Sequence, residues 1–264
     1  MRTFKLLLEY EGTAYHGWQV QPGLPTVQGM LQEALARLVR APVQVMGAGR
    51  TDAGVHASGQ VASFAAALRL EPRVLRRALN ALLPRDIAVL EAAEAPPGFD
   101  ARRDARARTY RYSLLCRPNR TALARHLTLH IPRPLDREAM AAAASYLVGE
   151  HDFSAFRAAR CSAPSPVRRV GEARFVPEGD LLHFLITADA FLQHMVRIVM
   201  GTLLQVGEGV LTPGGFQAVL GSRDRARAGK TLDPRGLCLV RVHYEEMAKP
   251  QPLSVVPSFL SFPG

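Results

Sequence analysis

Apolar residues recur along this chain at two spacings, one near two and one of three to four, and the switches between them mark its elements. Residues 3–10 read as a strand, and Glu11-Gly-Thr13 as the turn that ends it. Thr26 suits the N-cap of a helix whose Val27, Met30, Leu31, Ala34, Leu35 and Leu38 fall on one face. A strand over 43–46 runs into a glycine-rich segment, and a second strand covers 59–64. Glu71-Pro72 opens a helix to about Leu83, and 87–90 follows as a strand. This succession, β-α-β-β-α-β, is the split order of a ferredoxin-like unit.

The remainder repeats the theme loosely, without matching residues. In a strand over 108–115, Thr109, Arg111 and Ser113 share one face and Tyr110, Tyr112 and Leu114 the other. Pro134-Leu-Asp starts a helix through Leu147. Strands over 170–176 and 181–188 flank Pro177-Glu-Gly-Asp180, a hairpin signature. Helices over 191–206 and 213–220 and a strand over 237–244 complete the pattern. The expected fold is α+β with a largely antiparallel sheet. Its N-terminal half is 1–105, its C-terminal half 106–247, and a Pro-rich tail over 248–264 is expected to be irregular.

Composition narrows the class. At 264 residues and 48% hydrophobic content the chain can bury a sizeable core, which excludes disorder as its general state. The three cysteines, Cys116, Cys161 and Cys238, form no Cys-x-x-Cys pair, and no apolar run is long enough for a membrane span. The expectation is a reduced, cytoplasmic protein with no membrane partner. The net charge of +10 rests on 30 Arg against 3 Lys. G+C-rich codon usage and phosphate recognition both favour arginine, so only clustering distinguishes them.

The sharpest cluster is Gly47-Ala-Gly-Arg-Thr-Asp-Ala-Gly-Val-His56, where three glycines permit unusual dihedrals and close approach by a ligand. Arg50 and Asp52 lie two apart, so an extended stretch aims both to one side. A carboxylate beside a guanidinium acts as nucleophile or anion rather than as an acid. The bland alternative is a turn with a surface ion pair. Asp52 and His56 lack a third ligand at metal-site spacing, and no phosphate loop or serine elbow is present.

A second cluster interleaves Arg102, Arg103, Arg106, Arg108 and Arg111 with Tyr110 and Tyr112, offering phosphate contacts and stacking surfaces for unpaired bases. The alternative is a solvated edge strand guarded by charge. In the third, Arg197 stands in the apolar run Phe191-Leu-Gln-His-Met-Val-Arg-Ile-Val-Met-Gly201. A buried arginine there needs an anion, for which Asp52 is a candidate, unless its side chain reaches the surface. His194, like His151 beside Asp152, suits structural hydrogen bonding better than catalysis.

Taken together, the segments Tyr10-Glu-Gly-Thr-Ala-Tyr-His-Gly-Trp-Gln19, Thr26-Val-Gln28, Gly49-Arg-Thr-Asp-Ala-Gly-Val-His56, Arg108-Thr-Tyr-Arg-Tyr112, Asp152-Phe-Ser-Ala-Phe-Arg157 and the run ending at Gly201 resemble the tRNA pseudouridine synthase A family, over residues 2 to about 246. That resemblance implies an isomerase of uridines in the tRNA anticodon stem-loop, at positions 38–40. Such an enzyme breaks the C1′–N1 bond, turns the base and rejoins it through C5. It implies Asp52 as the catalytic carboxylate, attacking C1′ or assisting at the C2′ proton. It also implies Tyr110 as the tyrosine that stacks on the base, Arg50 as the residue displacing the target nucleotide, and Arg197 as the partner of the carboxylate. Two ferredoxin-like halves sharing a sheet around a central cleft, helices on one face, and a homodimer are implied too. No cofactor and no metal is expected, since isomerisation adds and removes no atoms.

Three other activities make different demands. An RNA-binding module would use the Arg/Tyr run but not Arg50 and Asp52. A glycosylase using Asp52 to direct water would release free uracil. A metal-dependent nuclease would need a cluster of acids, which the sequence does not contain.

Overall fold

The computed structural model describes residues 1–159 and 161–245, and the expected irregular tail lies outside them. The chain divides into two compact units, Met1–Arg108 with Cys238–Glu245, and Thr109–Leu237. Both are α+β with mainly antiparallel strands.

In the first unit the order is β1 (Arg2–Tyr10), α1 (Val27–Val39), β2 (Val45–Gly47), β3 (His56–Ala66), α2 (Pro72–Leu82) and β4 (Ile87–Ala95). Strand β1 lies between β4 and β3, antiparallel to both, and β2 continues antiparallel on β3. The spatial order 4-1-3-2 is the ferredoxin-like arrangement that the β-α-β-β-α-β succession predicts. Strand β10 (Leu237–His243) adds parallel to the start of β3, with Cys238 opposite His56 and Leu239 opposite Ala57. Gly59 allows that approach, because a Cβ there would stand 2.2 Å from the Val240 carbonyl oxygen.

Local signals explain most boundaries. The Thr26 hydroxyl accepts from Gly29 N, capping α1, and Arg40 ends it at φ +59°. Helix α1 buries Val27, Leu31, Ala34 and Leu35, which line up with Leu75 and Leu79 of α2 and Phe4, Leu6 and Leu8 of β1 as core residues. Each leucine withdrawn fully from water contributes about 1.5–3 kcal/mol. Phe4 stacks on Phe64 of β3 at 5.2 Å.

Three boundaries differ from the pattern. Strand β2 starts two residues later than the expected 43–46, and β3 extends beyond 59–64 at both ends. Nearly all of β3 is buried, so it lacks the alternation that reveals a half-exposed strand. Strand β4 runs on to Ala95, through Glu91-Ala-Ala-Glu94, because β1 supplies partners as far as Thr3 and Ala95. Pairing there overrides weak strand propensity.

The second unit contains β5 (Ala107–Cys116) from Thr109 onward, β6 (Leu129–Ile131), α3 (Arg137–Ser145), β7 (Gly149–Asp152), β8 (Val167–Glu178), β9 (Leu181–Ala188), α4 (Met195–Gly207) and α5 (Pro213–Ser222). The strands run β5-β9-β8-β7, with β6 parallel on β5. Thr109 shares a 2.8 Å hydrogen bond with Thr187 and Ser113 a 2.9 Å bond with His183, a falling register that marks β5 and β9 as antiparallel. The β8–β9 hairpin turns at Gly179, φ +57°, as its sequence predicts. Helix α3 is capped by Asp136, whose carboxylate accepts from Ala139 N at 2.9 Å.

Helix α4 corrects the expectation most clearly. It begins at Met195 rather than Phe191, because His194 sits at φ +61° and interrupts the turn. Phe191 therefore belongs to the approach to the helix, although its apolar spacing fits a helical face.

Candidate active site

The segment from Gly47 to His56 is a loop between β2 and β3, and neighbouring residues fix its backbone almost residue by residue. Ala48 N donates to Val61 O at 2.8 Å, and the Ala48 carbonyl accepts from Arg108 Nε and Nη2 at 3.1 and 2.7 Å. Gln60 Nε2 donates to Gly49 O at 2.8 Å. Thr51 is held twice: its hydroxyl shares a 2.8 Å bond with the Tyr10 hydroxyl, and its carbonyl accepts from Trp18 N at 3.1 Å. Val55 N closes a turn onto Asp52 O at 3.1 Å, with Gly54 at φ +77° as that turn requires.

Between these anchors Thr51 is buried, Arg50 exposed and Asp52 half-buried, the alternation of an extended stretch. Arg50 forms no ion pair among the described residues, so the turn with a surface Arg50–Asp52 pair is not what forms here. The Tyr10 hydroxyl is pushed well above its usual range by burial, which keeps it a neutral hydrogen-bonding partner for Thr51.

The Tyr10–Gln19 and Thr26–Gln28 motifs form the backing of this loop, a role that sequence reasoning did not assign them. A Cβ on Gly12 would stand 2.0 Å from Val55 O, and one on Gly17, at φ +85°, 2.5 Å from Thr51 O. The Trp18 ring covers Gly47, and Gln28 ties Val45 O to Val20 N. Close packing of backbone on backbone explains the glycines.

His56 is 3% exposed, and its Nδ1 accepts from Gly12 N at 3.0 Å. A ring nitrogen that accepts carries no proton, so His56 is a neutral structural acceptor despite Glu11 at 3.8 Å. Among the described residues no group of three or more His, Cys, Asp or Glu could hold a metal ion.

In the second unit, Tyr110 of β5 is 7% exposed and meets the Phe191 ring edge-on, with centroids 4.9 Å apart. Two residues on, Tyr112 donates its hydroxyl to Asp233 O at 2.7 Å, and burial raises its pKa. Eleven of the 13 residues of α4 are buried, while Arg197 is half-buried. One partner of Arg197 is a main-chain oxygen: its Nε donates to Leu232 O at 2.7 Å. A cavity of about 870 Å³ follows α4 between Arg133 and the 230–234 segment, and Arg197 and Gly201 both line it.

The Arg/Tyr run is less uniform than it reads. Arg102, Arg103 and Arg106 are exposed, as phosphate contacts would be. Arg108 instead spends its guanidinium on the carbonyls of Ala48, Arg102 and Ala105, so it staples the entrance of the Asp52 loop. The Asp152–Arg157 motif is also structural. Burial opposes ionisation of Asp152, but the hydrogen bonds from Ser154 and the nearby Arg223 outweigh it and hold its pKa below the usual value. His151 donates to Val148 O, as a structural histidine does.

An α+β chain that presents a carboxylate on a glycine-rich loop, with exposed arginines in the same unit, has the makings of an enzyme that acts on nucleic acid. The comparisons narrow this further. A family model described as tRNA pseudouridine synthase matches residues 7–103 and 143–245, and the chain belongs to that family. It is 46% identical to tRNA pseudouridine synthase A of Geotalea uraniireducens over 244 residues, covering 92% of this chain and 100% of that one. It is 48% identical to the protein of the same name from Citrifermentans bemidjiense, over 93% of this chain and 99% of the relative. A solved archaeal box H/ACA sRNP Nop10–Cbf5 complex aligns at 11% identity with a TM-score of 0.32, over 76% of this chain and 53% of that one. No helix among the described residues is long and apolar enough to cross a membrane.

Proposed function

We propose that this chain converts uridine to pseudouridine in the anticodon stem-loop of tRNA, at positions 38–40, as a cytoplasmic homodimer. The C1′–N1 bond breaks, the uracil turns, and a C1′–C5 bond forms while the C5 proton is lost and N1 gains one. Nothing is added overall, so the chemistry calls for positioning and charge rather than a donor. Asp52 supplies the carboxylate that meets the sugar, at C1′ or at the C2′ proton. Arg50, exposed beside it, enters the space left when the nucleotide leaves its stack, a step costing a few kcal/mol. Tyr110 offers its ring to the detached base, and Arg197 balances the charge of the carboxylate.

The observation that carries this reading is the anchoring of the Asp52 loop. Ala48, Gly49, Thr51 and Gly54 are all tied down, so the backbone that presents Arg50 and Asp52 is fixed before substrate arrives. Preorganised charge of this kind is what a reaction without net chemistry can exploit.

Nucleoside analysis of unmodified tRNA incubated with the protein tests it. Pseudouridine in the anticodon arm with no free uracil supports the isomerase. Free uracil would establish a glycosylase, and unchanged composition despite tight binding would leave an RNA-binding protein. Sedimentation with and without tRNA tests the dimer.

A further inference from the structure

The segment 229–233, between α5 and β10, has no regular structure, yet it is fastened to α4 along its length. Gly229 N donates to Thr202 Oγ1 at 2.9 Å, and that hydroxyl donates in turn to Ile198 O at 3.0 Å. The Lys230 carbonyl rests on Gly201, where a Cβ would stand 1.9 Å from the oxygen. Leu232 N donates to Arg197 O at 3.2 Å while Leu232 O accepts from Arg197 Nε. Beyond it, Asp233 O receives the Tyr112 hydroxyl, and Gly236 lies against the Tyr112 ring. The segment therefore spans from α4 to β5, two residues from Tyr110.

A threonine inside a helix ordinarily bonds back to its own i−4 carbonyl. Thr202 does this and also holds the segment, so its hydroxyl has a second use. A guanidinium is a rigid planar fork, and once Nε is committed the directions of its two terminal nitrogens follow. The Leu232 carbonyl, by accepting from Nε, bears on that plane, and Gly201 and Thr202 help to seat the segment that carries it.

We propose that 229–233 is a strap that orients the Arg197 guanidinium for the reaction, with Gly201 and Thr202 as positioning residues. This rests on the role given to Arg197 above. Both residues act through Arg197 and touch no substrate.

The test compares Thr202→Val, which keeps shape and loses the hydroxyl, with Thr202→Ser, which keeps the hydroxyl. Both are measured in the full chain on unmodified tRNA. Thr202→Val is expected to lower kcat about ten- to a hundredfold with KM for tRNA within about twofold, because misplacement of a working group is felt at the chemical step. Thr202→Ser is expected to restore kcat. In an Arg197→Lys background, Thr202→Val is expected to have no further effect, since residues acting through one group are not additive. If that background turns over too slowly to read, the kcat and KM split and the serine rescue decide.

Wild-type kcat in Thr202→Val, a loss that serine fails to restore, or an equal loss in the Arg197→Lys background would overturn the strap. If Thr202→Val does not fold, Gly201→Ala, which displaces the Lys230 carbonyl, is read through the same comparison. A wild-type protein that makes no pseudouridine would defeat the functional reading instead, and wild-type turnover by Arg197→Lys would remove the role of Arg197.

Discussion

Asp52 and Arg197 are presented in opposite ways. Asp52 stands on an irregular loop whose carbonyls and N–H groups are fixed by other parts of its unit, among them Tyr10, Trp18, Gln60 and Arg108. Arg197 stands on a regular helix whose own ladder satisfies the backbone, leaving only the side chain to be oriented. A loop needs many outside anchors to be precise, whereas a helix needs one contact at the guanidinium. Damage to the Asp52 region should therefore spread into stability, and damage near Arg197 should stay in the kinetics.

The largest effect expected from breaking this contrast is at Gly17. Its φ of +85° and a Cβ position 2.5 Å from Thr51 O oppose any side chain. Gly17→Ala should cost about 2–4 kcal/mol in chemical denaturation and reduce turnover with it. Next is Arg108→Met, which leaves the Ala48 carbonyl without its two guanidinium bonds. A loss of about 1–3 kcal/mol and a lower kcat are expected, with tRNA affinity little changed if Arg108 is a staple rather than a phosphate contact. Tyr10→Phe removes one buried hydroxyl from Thr51 and should cost about 1 kcal/mol.

The smallest effect concerns Asp152. Its folded pKa is depressed, so it contributes stability above its unfolded pKa that is lost as pH falls through the folded value. Asp152→Asn should flatten the acid limb of the stability profile slightly and leave turnover near pH 7 unchanged. A steeper acid limb in the variant would reverse the sign assigned to this group.

What the sequence made legible divides along the same line. Helix α1, its Thr26 cap and the ferredoxin-like succession follow from periodicity and capping, because the residues that decide them are adjacent. The Gly49–His56 segment announces itself through its glycines. Its anchors do not, since Arg108 meets a main-chain oxygen and no residue type at position 48 signals that partner. Arg108 reads as one cation in a basic run for the same reason. The start of α4 is hidden because Phe191 and Leu192 fit the apolar stripe, while the left-handed conformation of His194 is not one its residue type announces. Arg197 was expected to need an anion or solvent, and one of its partners is the Leu232 carbonyl. Strands β6 and β7 are three and four residues long and exist only through pairing, so periodicity has no length in which to show them.

The most direct measurement is single-turnover conversion of unmodified tRNA by Asp52→Asn beside its binding to the same tRNA. The substitution keeps the size of the side chain and removes its charge. Pseudouridine formation is predicted to fall by more than about a thousandfold with tRNA affinity within about twofold of wild type. Conversion at the wild-type rate would contradict the assignment of Asp52 as the reacting carboxylate and, with it, the role given to the loop that holds it.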